Sequence, residues 1–248
     1  MNGGIIIPVY NHGKACVTVV EALLQYSYPI ILVDDGNGEE TKTYLHQIVN
    51  THPEVTLVTL EKNRGKGGAF GAGIVKAHEL GITHALQIDA DGQHDVHRTP
   101  FFMQKAEQYP SAMILGYPEY DATVPSHRKN GRKFANNWAK IVSFESGIMD
   151  SMCGFRVYPV EATYAFVTRH HYDKRMGFDI DILIRLIWKN VPYLFFPVHV
   201  TYPSDGISNF RMFQDNARIS WVYTKLCCGM LLRLPFLIFK VLKRRRMA

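Results

Sequence analysis

Short apolar runs that alternate with segments of helical periodicity dominate residues 5–88 of this chain. Strands are predicted over residues 5–10, 29–33, 55–60 and 84–88, and helices over residues 14–26, 40–50 and 69–80. Strands and helices that alternate in this way pack as a parallel sheet with helices on both faces. Each predicted strand also ends in polar or glycine-rich residues. We therefore predict an α/β fold whose strand ends line one ligand-binding crevice.

The second part of the chain is less regular. A helix is predicted over residues 101–109, a strand over residues 112–116 and a last strand over residues 198–203. Between them, the polar segment Tyr117–Arg132 predicts an irregular, mobile loop over the crevice. Its basic side chains are either solvated or bind an anion, and they are His127, Arg128, Lys129 and Arg132, with Lys133 just beyond.

Composition limits the class of protein. The chain has 248 residues, 47% hydrophobic and 20% charged, which suits one large α/β domain or two small ones. No signal peptide is expected, because Asn2-Gly-Gly leads directly into the first strand. The cysteines have neither metal-ligand nor redox spacing, which indicates reduced, packing thiols in a cytosolic protein. They are Cys16, Cys153, Cys227 and Cys228.

Two acids follow the fourth predicted strand, in the sequence Asp89-Ala-Asp91-Gly92. Carboxylate oxygens are the preferred ligands of hard divalent cations, and a glycine lets the backbone turn tightly around the ion. A cation held by one or two carboxylates usually completes its shell with substrate phosphates. The pattern therefore predicts a metal–diphosphate site, with a solvated Asp- and Gly-rich turn as the alternative.

Two further groups of residues suit a nucleotide diphosphate. Asp34 and Asp35 end the second strand, where a carboxylate can accept hydrogen bonds from a base or a ribose, although a plain turn is the alternative. Arg64 and Lys66 lie in a glycine-rich segment before a helix, where cations and free N–H groups meet phosphate. The segment is not a P-loop, because Gly67 follows Lys66 in place of Ser or Thr.

Taken together, these motifs resemble the nucleotide-sugar glycosyltransferases of family 2, which have the GT-A fold: a Rossmann-like, mostly parallel sheet flanked by helices. The resemblance runs from residue 5 to about residue 215, and its form is most similar to the dolichyl- and polyprenyl-phosphate sugar synthases. The matching segments are Ile6-Ile-Pro-Val-Tyr-Asn11, Val33-Asp-Asp-Gly36, Asn63-Arg-Gly-Lys-Gly67, Asp89-Ala-Asp-Gly-Gln-His94 and Cys153-Gly-Phe-Arg-Val-Tyr-Pro159.

The resemblance implies a role for each matching residue. It divides residues 1–215 into a donor half, to about residue 115, and an acceptor half from about residue 116. It places Asp89 at the ribose and Asp91 on Mg²⁺ or Mn²⁺, with both acids as candidate metal ligands. The remaining residues implied to bind the nucleotide sugar are Pro8, Tyr10, Asp34, Asp35, Arg64 and Lys66. Asn37 stands where the family usually has another residue, and we expect the base contact to survive a reshaped turn.

The acceptor half carries the candidate base. The resemblance aligns Asp181 with the acid of the family at this point, so we predict Asp181 as the general base and Asp179 as the second choice. Helix capping is the alternative for Asp179, and an ionised lipid phosphate would leave Asp181 only an orienting role. Residues placed on the acceptor or diphosphate side are Asp150, Arg156, Ser208 and Arg211, with a structural turn as the alternative for Asp150. Asn209 replaces the usual histidine.

The last segment, residues 216–248, is apolar with regularly spaced cations. The cations at positions 218, 225, 233, 240 and 244 fall within an arc of about 100° on a helix. A bilayer-spanning helix would place Arg233 near mid-membrane at about 3 kcal/mol, and the apolar stretch is short for a span. We predict an amphipathic helix on an anionic membrane surface, kinked at Pro235; a helix packed on the domain is the alternative. Nucleic acid is disfavoured, because aliphatic side chains separate the cations.

The sequence therefore predicts an inverting, metal-dependent glycosyltransferase that is peripheral on the inner, cytoplasmic face of a membrane. It would move a sugar from a UDP- or GDP-linked donor to a lipid-linked or amphipathic acceptor, such as a polyprenyl phosphate. One alternative is a sugar-phosphate nucleotidyltransferase, although the glycine-rich loop of that class is missing after the first strand, where Pro8–Gly13 stands. The other is a non-catalytic, nucleotide-binding membrane adaptor.

Overall fold

The computed structural model describes residues 1–120, 126–201 and 211–247, with the side chains of residues 120, 126–130, 212 and 241–247 excepted. The strands are β1 (Gly3–Val9), β2 (Ile30–Asp34), β3 (Val55–Thr59), β4 (His84–Gln87), β5 (Met113–Tyr120), β6 (Arg156–Pro159) and β7 (Tyr193–Val200). The helices are α1 (Gly13–Leu24), α2 (Glu39–Thr51), α3 (Lys66–Glu79), α4 (Thr99–Gln108), α5 (Ser126–Ser143), α6 (Val160–Arg169), α7 (Phe178–Trp188) and α8 (Met212–Met247).

The strands form one seven-stranded sheet in the order β3-β2-β1-β4-β6-β5-β7. Neighbouring strands are parallel except around β6, which runs antiparallel to both β4 and β5. The predicted α/β fold with a mostly parallel sheet is confirmed. Because β6 is reversed, its first residue, Arg156, pairs with Gln87 at the carboxyl end of β4.

Apolar cores cover both faces of the sheet, as parallel strands require. Side chains alternate between the faces along a strand, so Ile6 packs into one core while Ile5 and Ile7 pack into the other. The Ile6 core includes residues of α3, α5, α6 and α7, and the opposite core includes residues of α1, α2 and α4. This burial fixes the strand ends, and with them the crevice.

Helix α3 begins at Lys66, three residues before the predicted start at residue 69. Glycine disfavours helix, but here two glycines permit close packing. A Cβ at Gly67 would stand 2.7 Å from Phe178 Cβ, and a Cβ at Gly68 would stand 2.5 Å from Arg64 Cβ. Tertiary contacts therefore override the local preference and place Lys66 in the first turn of a helix.

The segment predicted as irregular, Tyr117–Arg132, is largely regular. Strand β5 continues to Tyr120, where it pairs with Val200 of β7, and α5 begins at Ser126. The prediction of a loop is thus wrong for residues 117–120 and 126–132, and residues 121–125 lie outside the described residues. The eight-residue pairing of β5 with β7 provides hydrogen-bond partners for the backbone groups of β5. The local sequence of β5 does not reveal this distant partner strand.

Helix α8 runs for 36 residues and continues through Pro235. The 28 residues Phe213–Lys240 are long and apolar enough to cross a membrane by length and composition, so the prediction of a stretch too short for a span is wrong. One face packs on the domain through Val222, Tyr223 and Leu226. The other face exposes large apolar side chains: Phe213, Trp221, Leu231, Leu232, Phe236, Ile238 and Phe239.

Two of the predicted α8 cations contact the domain. Lys240 Nζ lies 3.3 Å from Glu145 and donates a hydrogen bond to the carbonyl of Ile187. The Arg233 guanidinium lies 4.9 Å from the ring centre of Trp188. Two of the predicted surface cations therefore contact the domain, whereas Arg218 and Lys225 are exposed on the helix together with the apolar side chains.

Candidate active site

The functional residues meet at one edge of the sheet. This edge contains the carboxyl ends of β1, β2 and β4, and the reversed strand β6 adds its amino end. The first turns of α3 and α7 reach the same edge, because Lys66 of α3 and Asp179 of α7 form an ion pair there. The predicted convergence of strand ends is thus present, and six elements contribute to it.

Asp34 shapes the turn after β2. Its Oδ1 accepts hydrogen bonds from both the backbone N–H and the side-chain amide of Asn37, at 2.8 and 2.7 Å. The same Asn37 amide donates to the carbonyl of Val9, which ties the end of β1 to the end of β2. Asn37, the departure from the family pattern, therefore builds the turn, and Asp34 is buried in it.

Asp35 anchors the loop before α3. Its two oxygens accept hydrogen bonds from the backbone N–H groups of Arg64 (2.6 Å) and Gly65 (2.9 Å). Burial raises the pKa of the Asp35 carboxyl, although these two hydrogen bonds act in the opposite direction. Gly65 has φ of +82°, a conformation that glycine adopts without strain. Asp35 thereby fixes the backbone from which Lys66 reaches the site.

Lys66 is the centre of the cluster. Its Nζ lies 2.8 Å from Asp89 Oδ1 and 2.8 Å from Asp179 Oδ2, so one ammonium bridges an acid of β4's end and an acid of α7. Gln87 adds a hydrogen bond from its side-chain amide to Asp179 Oδ1, at 3.1 Å. Side chains that lie far apart in sequence are therefore held within hydrogen-bond distance of one another.

Charge controls ionisation in this cluster. Burial alone would favour the neutral forms of these side chains. For Lys66, the negative charges of Asp179 and Asp89 outweigh the effect of burial, and the pKa of the ammonium is raised. Burial is likewise outweighed for Asp89, where Lys66 and His94 hold the pKa well below its usual value. Lys66 and Asp89 are thus both ionised near neutral pH.

Asp91 has a different environment. Burial raises its pKa, and the negative charge of Asp89 adds to this effect. Its Oδ1 accepts a hydrogen bond from the backbone N–H of Gln93. A divalent cation beside Asp91 would offset both the burial and the repulsion, so these carboxylates fit such an ion chemically. Among the described residues no group of three or more His, Cys, Asp or Glu side chains could hold a metal ion, so phosphate oxygens would have to supply further ligands.

The two acids of α7 face different surroundings. Asp179 points to Lys66 and Gln87, whereas both oxygens of Asp181 are engaged elsewhere. Asp181 Oδ1 accepts from Arg185 Nε at 2.5 Å, and Oδ2 accepts from the backbone N–H of Asp173 at 2.8 Å. The structure therefore brings the second-choice acid to the cluster and uses the first choice to hold the loop before α7.

Arg156 does not line an acceptor surface. It is fully buried, and its Nη1 donates a 2.7 Å hydrogen bond to the backbone carbonyl of Asp179. Asp150 is buried as well: it accepts from the backbone N–H groups of Met152 and Cys153 and pairs with Arg132 at 3.0 Å. Both side chains therefore make structural contacts, and for Asp150 these contacts support the alternative of a structural turn; a role on the acceptor or diphosphate side stays a prediction for both.

The remaining predicted residues lie at the margins. Pro8 is half-buried near the end of β1 and Tyr10 is exposed just beyond it. Arg211 precedes α8, where its backbone N–H donates to Asp215 Oδ2 at 2.7 Å. Ser208 lies outside the described residues.

Sequence reasoning missed several contributors. Gln87 and His94 flank the acid pair, and His94 Nε2 lies 3.6 Å from Asp89 Oδ2. A Cβ at Gly154 would collide with the carboxylate of Asp89, so this position requires glycine. A polar residue at the end of an apolar strand was the available signal for Gln87. Gly154 gave none, because its neighbour comes from a distant strand.

Solved structures share this architecture. Glucosyl-3-phosphoglycerate synthase from Mycobacterium tuberculosis, solved with Mn²⁺, UDP-glucose and phosphoglyceric acid, matches with a TM-score of 0.69 and 12% identity over 91% of this chain and 79% of that one. A mannosyltransferase from Pyrobaculum calidifontis, solved with GDP-mannose and Mn²⁺, matches with a TM-score of 0.58 and 16% identity over 83% of this chain and 58% of that one. The fold is therefore of the GT-A type.

The sequence comparison fixes the family. The model for glycosyl transferase family 2 matches residues 4–170, which include every residue of the Lys66 cluster except Asp179. The chain belongs to glycosyl transferase family 2 and is a glycosyltransferase.

Several relatives carry names that refer to dolichyl phosphate. The chain is 27% identical to a dolichyl-phosphate beta-glucosyltransferase of Dictyostelium discoideum, over 88% of this chain and 74% of that protein. It is 25% identical to the Homo sapiens protein of the same name, over 72% of this chain and 61% of that protein. A UDP-N-acetylglucosamine–dolichyl-phosphate N-acetylglucosaminyltransferase of Methanococcus voltae is 34% identical over 53% of this chain and 54% of its own length.

Proposed function

We propose that this protein transfers a hexose from a nucleotide-diphosphate sugar to a dolichyl- or polyprenyl-phosphate acceptor. The observation that carries the proposal is the bridge of Lys66 between Asp89 and Asp179 at the crevice edge. Two of the relatives act, by name, as dolichyl-phosphate glucosyltransferases and one as a dolichyl-phosphate N-acetylglucosaminyltransferase. Structural neighbours were solved with UDP-glucose and GDP-mannose, which supports a donor of this chemical class.

The donor site uses the loop and the acid pair. Asp35 fixes the backbone of Arg64, which is exposed and available to a base or a phosphate. Asp91, with Asp89 beside it, would hold Mg²⁺ or Mn²⁺, and a bound cation neutralises charge that develops on a leaving diphosphate. Lys66 contributes a second positive charge next to these acids. Lys66, together with the cation that these acids would hold, would stabilise the nucleoside diphosphate as it departs.

An ionised phosphate acceptor needs no strong base. Its oxygen attacks the sugar C1 from the side opposite the leaving diphosphate, and a single displacement of this kind inverts the anomeric configuration. Asp179 then acts through Lys66, by holding the ammonium beside Asp89, and is a positioning residue. Asp181 is proposed to stabilise the loop before α7, because its two oxygens are already engaged.

Helix α8 supports a membrane location. Its exposed apolar face would enter the bilayer interface, where a lipid-linked acceptor is found. The four cysteines are free, which fits a reducing compartment and hence the inner, cytoplasmic face. Residues 1–215 would form the catalytic domain and residues 216–248 the membrane-associating segment.

The test is a transfer assay with the full chain in polyprenyl-phosphate vesicles. UDP-glucose, UDP-N-acetylglucosamine and GDP-mannose are supplied in turn with Mn²⁺ or Mg²⁺, and the lipid product is identified by mass spectrometry. We expect one donor to give a polyprenyl-phosphate hexose with inverted anomeric configuration, read by NMR.

The rival functions give different results. Consumption of a free sugar 1-phosphate and a nucleoside triphosphate would identify a nucleotidyltransferase instead. Tight binding of a nucleotide sugar, with neither transfer nor hydrolysis, would identify a binding protein and overturn the proposed function.

A further inference from the structure

We infer that Arg156 and Gln87 are positioning residues that clamp Asp179 from two sides and thereby aim Lys66 at the donor diphosphate. This inference rests on the proposed function. Neither residue touches Lys66 within hydrogen-bond distance in the structure, so both act through Asp179.

The two clamping residues are direct neighbours in the sheet. Gln87 of β4 and Arg156 of β6 are paired in the antiparallel ladder, and directly paired residues project to the same face. That face carries the first turn of α7. Gln87 holds the Asp179 carboxylate at 3.1 Å, while Arg156 holds the Asp179 carbonyl at 2.7 Å. The sheet therefore fixes both the side chain and the backbone of one helical residue.

The energetics favour such a role over simple packing. A fully buried guanidinium is costly unless its charge and its N–H groups are compensated. Arg156 Nε and Nη2 have no hydrogen-bond partner among the described residues, and its short bond goes to a helix carbonyl, with a weaker one of 3.4 Å to the Tyr158 hydroxyl. Apolar residues would fill this space at a lower desolvation cost. We therefore attribute to Arg156 the role of fixing the position of α7.

The charge count supports the same reading. Two buried or half-buried cations, Lys66 and Arg156, stand against two acids, Asp89 and Asp179. Removing the Arg156 charge leaves two carboxylates sharing one ammonium. The first turn of α7 then loses its anchor, and Lys66 shifts from the diphosphate position.

The experiment compares Arg156→Met, Arg156→Lys and Gln87→Met with wild type in the transfer assay, well below each unfolding temperature. A displacement of about 1 Å at a reacting centre costs about 100-fold, so kcat should fall by about that factor in Arg156→Met. The donor dissociation constant should stay within about threefold, because Asp35 and Asp91 are untouched.

Arg156→Lys, which keeps a hydrogen-bond donor and the charge, should recover part of the loss. Gln87→Met keeps Arg156 and reports on the clamp even if Arg156→Met fails to fold.

Tyr158→Phe is the matched control. It removes the 3.4 Å contact to Arg156 and leaves the bond to Asp179, so its kcat should match wild type. Hydrogen exchange of residues 177–181 gives a second readout that needs no turnover, and exchange should rise in Arg156→Met but not in Tyr158→Phe. Unchanged kcat and unchanged exchange in the clamp variants, with Asp179→Asn inactive, overturn the inference alone. Absence of transfer by wild type with every donor overturns the proposed function, and the exchange data still decide the clamp.

Discussion

Two acids separated by a single residue in α7 show that the partners around a carboxylate determine what it can do in the site. Residues i and i+2 of a helix do not face the same side, so Asp179 and Asp181 cannot both reach the crevice. Asp179 meets Lys66 and Gln87, and Asp181 meets Arg185 one helical turn away. The sequence placed both acids in the first turn and favoured Asp181 through the family resemblance, but it did not show the partners of either acid, which belong to other segments or depend on helix rotation.

Asparagine substitutions separate the two roles. Asp181→Asn should lower the free energy of unfolding by about 1–3 kcal/mol, since it leaves Arg185 without its charged partner, and should largely retain kcat. Asp179→Asn should retain most of the stability and lose most of kcat, because Lys66 is released. Thermal unfolding and transfer rates measure both. If Asp181→Asn were inactive with an unchanged unfolding temperature, Asp181 would be the base after all.

Lys66→Met removes the bridging charge and keeps the length of the side chain. Loss of one preorganised group that stabilises developing charge costs about 100- to 1,000-fold in kcat, and we expect a loss in that range. Lys76→Met is the control on the same helix, because Lys76 pairs with Glu79 at the surface. Equal kcat for the two variants would exclude Lys66 from the chemistry.

At the scale of elements, regular local patterns were predictable and context-dependent ones were not. The alternation through β4 is encoded in local periodicity, and each element end was predicted to within three residues. Strand β6 is four residues long and begins with a buried arginine, so only its pairing with β4 and β5 makes it a strand. The first turn of α3 also depends on context, because Gly67 and Gly68 stand where neighbouring residues leave no room for a Cβ.

Helix α8 provides a prediction at this scale. Leu232 is 84% exposed on the apolar face, and Leu232→Glu should remove about 2 kcal/mol of transfer free energy, which corresponds to about thirtyfold weaker vesicle binding. Leu80→Glu, at an exposed leucine that caps α3, should leave vesicle binding unchanged. Co-sedimentation with vesicles measures both variants. Equal binding of Leu232→Glu and wild type would show that this face does not meet lipid.

At the scale of the whole molecule, the site exists because distant segments share one edge. The convergence of Asp35, Lys66 and Asp89 could be predicted, since parallel strands end on the same side of a sheet. The contributions of Arg156 and Gly154 could not, because they depend on the reversed strand. Their neighbours across the sheet are absent from any local window of the sequence.

Metal removal tests the assembled site. Chelation of divalent ions should lower turnover by about 100-fold or more, because the leaving diphosphate would lose several kcal/mol of charge stabilisation. Readdition of Mn²⁺ or Mg²⁺ should restore the rate, and Na⁺ at equal ionic strength should not. Full activity in excess chelator would exclude a metal role for Asp91.

Thiol reactivity reports on the whole fold. Burial raises the pKa of Cys16 and of Cys153 to about 12, so at pH 8 only about one molecule in ten thousand carries either thiolate. Cys228 is exposed on α8 and should react with a maleimide first. Peptide mass spectrometry should find Cys16 and Cys153 unlabelled until the protein is denatured, and vesicles should protect Cys228. Early labelling of Cys153 would contradict the packing around Gly154.

The contacts that Lys240 and Arg233 make with Glu145 and Trp188 bear on how the protein should behave during purification. Large apolar side chains of the same helix are exposed, so we expect them to hold the enzyme on a bilayer when salt screens the exposed cations Arg218 and Lys225. Washing membranes with concentrated salt should leave the enzyme in the pellet, whereas a mild non-ionic detergent should extract it. A basic isoelectric point would then be a poor guide to the forces that keep the enzyme beside its lipid.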